Sequence, residues 1–531
     1  VSADGVRRKV ELYDTTLRDG AQGTGLSYSI EDRLRILHKI DQLGVPFIEG
    51  GWPGASPRDT EFFKLATKET LQHAALTSFG MTRKAGERAE DSAVLRELLD
   101  TGTEVVCIVG KSWDLHVTEA LRTDLDEGVS MVRDSIAFLR GQGRRVFFDA
   151  EHFFDGHRSD AGFAMRVLLA AQEAGAERLV LCDTNGGMLP LDVARIVAEV
   201  KARVETPLGI HVHNDAGCAV ANSLIAVEHG VYQVQGVVNG YGERTGNADL
   251  IPIAANLVLK MNADCLPDGA VERLTEVAHY VAEVANVVPD SRQPYAGRYA
   301  FTHKAGLHAS GVARLEEAYE HVPPASVGNH RGVVASDMSG AATLRMKADE
   351  FGVDIVADAI PAIVAELKER EARGYTFEVA DASLELLMRH ASGWRQPFFT
   401  IESFRVHVEQ RMEDQQEALA EATVKVVTNG TRHVESAEGR GPVGALDNAL
   451  RKALTNEYPA LDDMTLEDYR VRVLDETVGT GATVRVLIDT SNGEREWTTV
   501  GVSENIIEAS WEALVDAYLY GLLHPREDRQ A

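Results

Sequence analysis

From the start of the chain to about residue 260, short runs rich in β-branched and aromatic residues alternate with longer stretches whose apolar positions recur every three to four residues. That rhythm predicts strands separated by helices, and hence a parallel sheet buried on both faces. Eight runs have strand character: KVELYD, PFIEGG, AALTSF, EVVCIV, RVFFDAE, RLVLCDT, LGIHVHND and YQVQGVVNG. Helical patterns such as EDRLRILHKIDQLG and AGFAMRVLLAAQEAG lie between them. Eight such units in roughly 250 residues match the size of a closed β/α barrel, with an open doubly wound sheet as the competitor.

The polar residues at the strand ends separate the two. A barrel builds its site from the C-terminal ends of many strands, whereas an open sheet concentrates polar groups at one switch point. Here nearly every strand ends in them: Asp14, Arg18 and Asp19 after the first, Glu49 on the second, Lys111 on the fourth, Asp149 and Glu151 on the fifth. Asp183, Thr184 and Asn185 close the sixth, His211 and His213 the seventh, and Asn239 the eighth. The spread favours an α/β fold of the (β/α)8 TIM-barrel type over residues 1–280.

Residues 281–390 read as helices interrupted by the polar stretch SRQPYAGRYAFTHKAGLHASG, a linker or lid-forming region. From 391 to 531 the pattern becomes alternating strands with Gly-rich turns. It contains a weak duplication, since RHVESAEGRGPVGALDNALRKAL and REWTTVGVSENIIEASWEALVDAY both run strand, tight turn, amphipathic helix. An α+β regulatory or dimerisation module has this form.

Composition narrows the function. With 44% hydrophobic and 26% charged residues the chain is that of a globular protein, and no apolar run is long enough to cross a membrane. The opening VSADGVRRKV has neither an apolar signal core nor transit-peptide character, so a cytoplasmic location is expected. Lys and Arg total 54 against 82 Asp and Glu, and the net charge of −28 repels polyanions, which argues against a nucleic-acid partner. The four cysteines are far apart with no CxxC, so buried reduced thiols are expected.

His211 and His213 are two apart on a predicted strand, so both imidazoles face the same side and can share one ion. A carboxylate from another strand end would complete a three-ligand set, and Asp19 is the best placed. Taken alone, an HxH pair is more often structural; the barrel context reverses that. DTTLRDG crowds an Arg and two Asp into the first strand-to-helix turn, with Gly20 expected to supply a backbone conformation other residues resist. With Asp19 on a metal, Arg18 would hold negative charge on a carbonyl oxygen, the bland alternative being a surface ion pair. Glu151 lies among aromatic neighbours, an apolar setting that raises a carboxyl pKa and suits proton handling. His152 and His157 are set aside as loop histidines. Thr184 and Asn185 could hold a substrate carboxylate, with Asp183 orienting its neighbours. GYGERTGNADL could bind a phosphate or support a metal, although a Gly-rich loop by itself is more often a structural turn. GTGLS is too incomplete a match to suggest a dinucleotide site.

Together, DTTLRDGAQ, DAEHFFDG, CDTNGG, HVHNDAGCAVANS, NGYGERTGNADL and KAGLHASG resemble the acyl-CoA condensing branch of the metallolyase-type barrels, the family of 2-isopropylmalate, homocitrate and citramalate synthases. GRGPVGALDNAL is similar to the allosteric domain of that family, so the resemblance covers nearly the whole chain. The DAEHFFDG form and overall length are most similar to the long citramalate synthases. The resemblance implies a divalent ion (Zn, Mn, Co or Mg) on Asp19, His211 and His213, with Asn247 beside it or joining it. It implies that Arg18 polarises a 2-oxo group, Thr184 binds the substrate carboxylate and Glu151 positions substrate or relays protons. His308 in GLHASG matches the family's catalytic histidine, on a segment that reaches a neighbouring subunit, so a homodimer is implied. The expected reaction joins the acetyl group of acetyl-CoA to a small 2-oxo acid. Pyruvate giving citramalate is favoured, and 2-oxoisovalerate giving 2-isopropylmalate is the alternative. Isoleucine is the expected effector of the C-terminal module.

Overall fold

A computed structural model describes residues 7–303, 319–333, 341–355, 359–409, 419–474 and 481–526, with 311 and 315. Eight parallel strands close into a barrel: β1 Glu11–Asp14, β2 Phe47–Gly51, β3 Ala75–Met81, β4 Val105–Lys111, β5 Arg145–Glu151, β6 Arg178–Asp183, β7 Leu208–Val212 and β8 Gln233–Gly236. β8 pairs with β1 to complete the circle. All eight coincide with the runs expected from the sequence. They stand out because each is sandwiched between the barrel interior and a helix layer, so apolar residues recur on both faces.

The helix Ile30–Leu43 shows how local signals set the outer layer. Ser29 caps it with a reciprocal capping box to Asp32, and Ile36, Leu37, Ile40 and Leu43 are buried at helical spacing. Inside the barrel, Tyr13, Phe47, Phe79, Val105, Cys107 and Phe147 form a separate apolar plug. Phe47 and Phe147 meet edge to face at 5.0 Å between centroids. Each such ring contributes about 1.5–3 kcal/mol by burial. The plug fills the lumen beneath the C-terminal mouth and makes a rigid floor for side chains above it.

The described chain divides into two compact units, one of residues up to Phe301 with His321–Arg331, the other of Thr302–Glu320 with Gly332 onward. In the second unit, two antiparallel three-stranded sheets each carry a helix. β9 Phe399–Glu409, β10 Leu419–Thr428 and β11 Thr431–Gly439 pack under the helix Pro442–Leu454. β12 Thr465–Val473, β13 Val484–Ser491 and β14 Glu496–Ser503 pack under Ile506–Leu523. This is the duplication visible in the sequence. The helices Ala341–Phe351, Ile360–Ala372 and Asp381–Ala391 share a core with Val500 and Val502 of β14.

Cys107, Cys182 and Cys265 are buried free thiols, and Cys218 is a half-buried one. Among the described residues no helix is long and apolar enough to cross a membrane.

Candidate metal centre and active site

The turn after β1 is shaped by Asp14. Its buried carboxylate accepts from the Thr16 amide at 3.0 Å and the Thr16 hydroxyl at 2.7 Å, and Thr16 Oγ1 accepts from the Val238 amide at 3.0 Å. The turn is thereby tied to the end of β8, and Arg18 and Asp19 project over the barrel mouth. Gly20 serves differently from the sequence expectation. It has no left-handed backbone, and a Cβ there would stand 2.8 Å from Val237 Cγ1, so the requirement is close packing rather than an unusual turn.

Asp19 meets His211 of β7 and His213 just beyond its end. His211 Nε2 lies 3.1 Å and His213 Nε2 3.8 Å from Asp19 Oδ2, and the imidazole centroids are 5.3 Å apart. One ligand atom from each of the three buried residues falls within 4.8 Å of the others, the only such group among the described residues. The parity argument from the sequence therefore holds. His211 is oriented from behind: its Nδ1 lies 2.9 Å from Gln235 Oε1, and Gln235 Nε2 donates to Asp149 Oδ1 at 3.0 Å. That relay leaves Nε2 of His211 turned to the site, the arrangement metal-bound imidazoles adopt.

Asn247 joins the group through backbone pairing. It forms an isolated antiparallel bridge with His213, and its Nδ2 donates to the Tyr241 carbonyl at 3.1 Å. Among the described residues, its Oδ1 is buried without a hydrogen-bond partner. An orphaned amide oxygen on a residue bridged to His213 fits a fourth donor to a cation. The turn that delivers it depends on Gly246 at φ +87, where a Cβ would lie 2.0 Å from the Gly240 carbonyl oxygen.

The electrostatics agree. Burial works to raise the Asp19 pKa, but the Arg18 guanidinium and the His211 hydrogen bond outweigh it and hold the carboxyl well below its usual range. Burial, then the neighbouring His211, lowers His213 to about 4, so its ring is neutral and its lone pair available at neutral pH. For His211, burial is outweighed by the Asp19 carboxylate and the pKa rises.

Arg18 is not on an exposed loop. Its Nε donates to Glu49 Oε1 at 2.5 Å, its Nη1 lies 3.3 Å from Asp19 Oδ2, and its guanidinium carbon sits 3.9 Å from the Phe79 ring centroid. Glu49 is fully buried and accepts a second bond from Tyr13 Oη at 2.6 Å. Glu49 and Asp149 have no role assigned from the sequence, and Gln235 lies within a strand rather than at its end. The available signal was period two, which puts Gln235 on the lumen face with Gln233.

Glu151 departs from expectation. Its side chain pairs with Lys111, its register partner on β4, so its setting is an ion pair rather than an apolar pocket. Thr184 Oγ1 accepts from the His152 amide at 2.9 Å. Asn185 Nδ2 donates to Asp155 Oδ2 at 2.9 Å, which commits that amide elsewhere, and Asp183 accepts from the amides of Gly187 and Met188. His308 lies outside the described residues.

Comparison with known proteins places these features. Residues 9–281 match the HMGL-like family model, 296–374 the homocitrate synthase post-HMGL domain-like model, and 378–522 the LeuA allosteric (dimerisation) domain. An (R)-citramalate synthase of Synechocystis sp. is 50% identical over 523 residues, 96% of both chains. One from Streptomyces coelicolor is 50% identical over 516 residues, again 96% of each. A probable 2-isopropylmalate synthase of Methanopyrus kandleri stands at 32% over 522 residues, 96% of this chain and 97% of its own. At one-half identity along almost its whole length to such relatives, and with an HMGL-like barrel at its front, this chain belongs to the (R)-citramalate synthase family.

Proposed function

We propose that the protein condenses acetyl-CoA with pyruvate and water to give (R)-citramalate and CoA, a step toward isoleucine. The observation that carries this reading is the buried Asp19, His211 and His213 donor set at the barrel mouth of a chain half identical to (R)-citramalate synthases. A relative whose name would favour 2-oxoisovalerate, the probable 2-isopropylmalate synthase, is more distant at 32% identity.

Asp19, His211 and His213 would hold one divalent cation, with Asn247 Oδ1 as a fourth donor. Such an ion, when bound, draws electron density from the 2-oxo group, and mixed nitrogen and oxygen donors suit zinc, manganese, cobalt or magnesium. Arg18, held by Glu49, stabilises the negative charge that develops on the 2-oxo oxygen. The Thr184 hydroxyl donates to the substrate carboxylate, and Glu151, paired with Lys111, positions substrate or relays protons. A base, assigned by the family resemblance to His308, takes a proton from the acetyl methyl group. The new bond joins that methyl carbon to C2 of pyruvate as the carbonyl π pair moves onto oxygen, which takes up a proton. Water then cleaves the thioester, its hydroxyl going to the acyl carbon and its proton to the CoA thiolate. His308 serving a neighbouring subunit would make the working form a homodimer, with isoleucine as the inhibitor sensed by the C-terminal module.

The test is CoA release by the purified full chain with acetyl-CoA and a panel of 2-oxo acids from glyoxylate to 2-oxoglutarate. Pyruvate should exceed 2-oxoisovalerate in kcat/KM by at least roughly 10- to 200-fold, the range a single methylene supports in an apolar pocket. Preference for 2-oxoisovalerate would favour 2-isopropylmalate synthesis. No release with any acid would overturn the enzymatic reading.

A further inference from the structure

We propose that His152 is a positioning residue for the 2-oxo acid and acts through its backbone: it presents an amide that fixes the direction of the Thr184 hydroxyl. The proposal rests on the reading of Thr184 as the carboxylate donor.

His152 follows the end of β5 and has φ +55 and ψ 34, a left-handed conformation that non-glycine residues rarely adopt. Strained backbone of this kind persists only where surrounding contacts enforce it, and it clusters at functional sites. The enforcing contacts are present. The His152 ring lies 4.4 Å from the His116 ring and 5.5 Å from Trp113, centroid to centroid, and its Nδ1 is 3.2 Å from Asp155 Oδ2. The same Asp155 oxygen accepts from Asn185. The ring is thus held on both sides, and the left-handed backbone delivers the His152 N–H to Thr184 Oγ1 at 2.9 Å.

The consequence is chemical. A threonine hydroxyl has one proton to donate and two lone pairs. With a lone pair engaged by the His152 amide, the proton is directed away from it, and among the described residues Thr184 Oγ1 donates to no acceptor. A carboxylate arriving at the end of β6 meets a donor already aimed at it, so no reorientation is needed on binding.

The experiment compares variants of the full chain. His152→Val introduces a β-branched residue that resists left-handed backbone, and should raise pyruvate KM about tenfold or more. Acetyl-CoA KM and bound-metal content should not change. His152→Gly and His152→Asn tolerate the conformation and keep the amide, so each should stay within about threefold of wild type in pyruvate KM. Equal increases in all three variants would assign the effect to the ring and overturn the proposal, as would no increase in His152→Val. Thr184→Val separates the two layers. Unchanged pyruvate KM there would remove the underlying Thr184 reading, whereas an increase there without one in His152→Val would overturn the His152 proposal alone. Circular dichroism confirms that each variant is folded before its kinetics are read.

Discussion

Arg18 is clamped by Glu49: its Nε donates to Glu49 Oε1 at 2.5 Å, and the carboxylate that receives it is fully buried and also accepts from Tyr13. The arginine beside the proposed metal site is therefore fixed by a residue from the neighbouring strand. The Glu49 pKa is raised, because burial pushes it up by more than the Arg18 charge draws it down.

Glu49→Gln removes half of this clamp while keeping its shape. Turnover should fall about 10²- to 10³-fold, the size of losing one preorganised charge-stabilising contact. Metal content should be unchanged, because Glu49 is not among the donor atoms. Steady-state kinetics paired with elemental analysis reads both quantities.

Asp14 links pH to folding. The group is fully buried, and burial pushes its pKa up to about 7 from 3.8 against the hydrogen bonds from Thr16. A folded-state pKa above the unfolded value means that the native state binds the proton more tightly. The stability this contributes is fully present below pH 3.8 and is lost as pH rises through about 7. Between pH 5 and pH 8 this one group should cost about 2–3 kcal/mol. Asp14→Asn has no such proton to lose, so its stability relative to wild type should increase with pH. Denaturant titrations at the two pH values measure the difference.

Gly246 is required by space and by backbone. With φ +87 and the Gly240 carbonyl in the path of any Cβ, Gly246→Ala should destabilise the protein by about 1–3 kcal/mol. Asn247 would be displaced from His213, so metal affinity should fall as well. Thermal melts with and without added divalent ion separate the two effects.

The barrel was legible because parallel strands between two apolar layers read as continuous apolar runs with polar tips. The juxtaposition of His211 and His213 was legible because residues two apart in extended chain face one way. What the sequence hid depends on register between strands. Arg18 finds Glu49 only because β1 lies beside β2, and Lys111 meets Glu151 because β4 and β5 align them as partners. A carboxylate among aromatic neighbours in sequence, Glu151, is an ion-paired one in space. Gln235 is an uncharged polar residue within a strand, and its tie to His211 appears only when the barrel closes. His152 reads in the sequence as a loop histidine, and its left-handed backbone appears only in the structure.

Elemental analysis of the purified full chain, beside Asp19→Ala and His213→Ala variants shown by circular dichroism to be folded, bears most directly on the proposed chemistry. One divalent ion per chain is expected in the wild type and nearly none in either variant, with CoA release lost in step. Equimolar metal retained by both variants, or undiminished turnover after the wild type is stripped by a chelator, would contradict a cation held jointly by the first and seventh strands of the barrel.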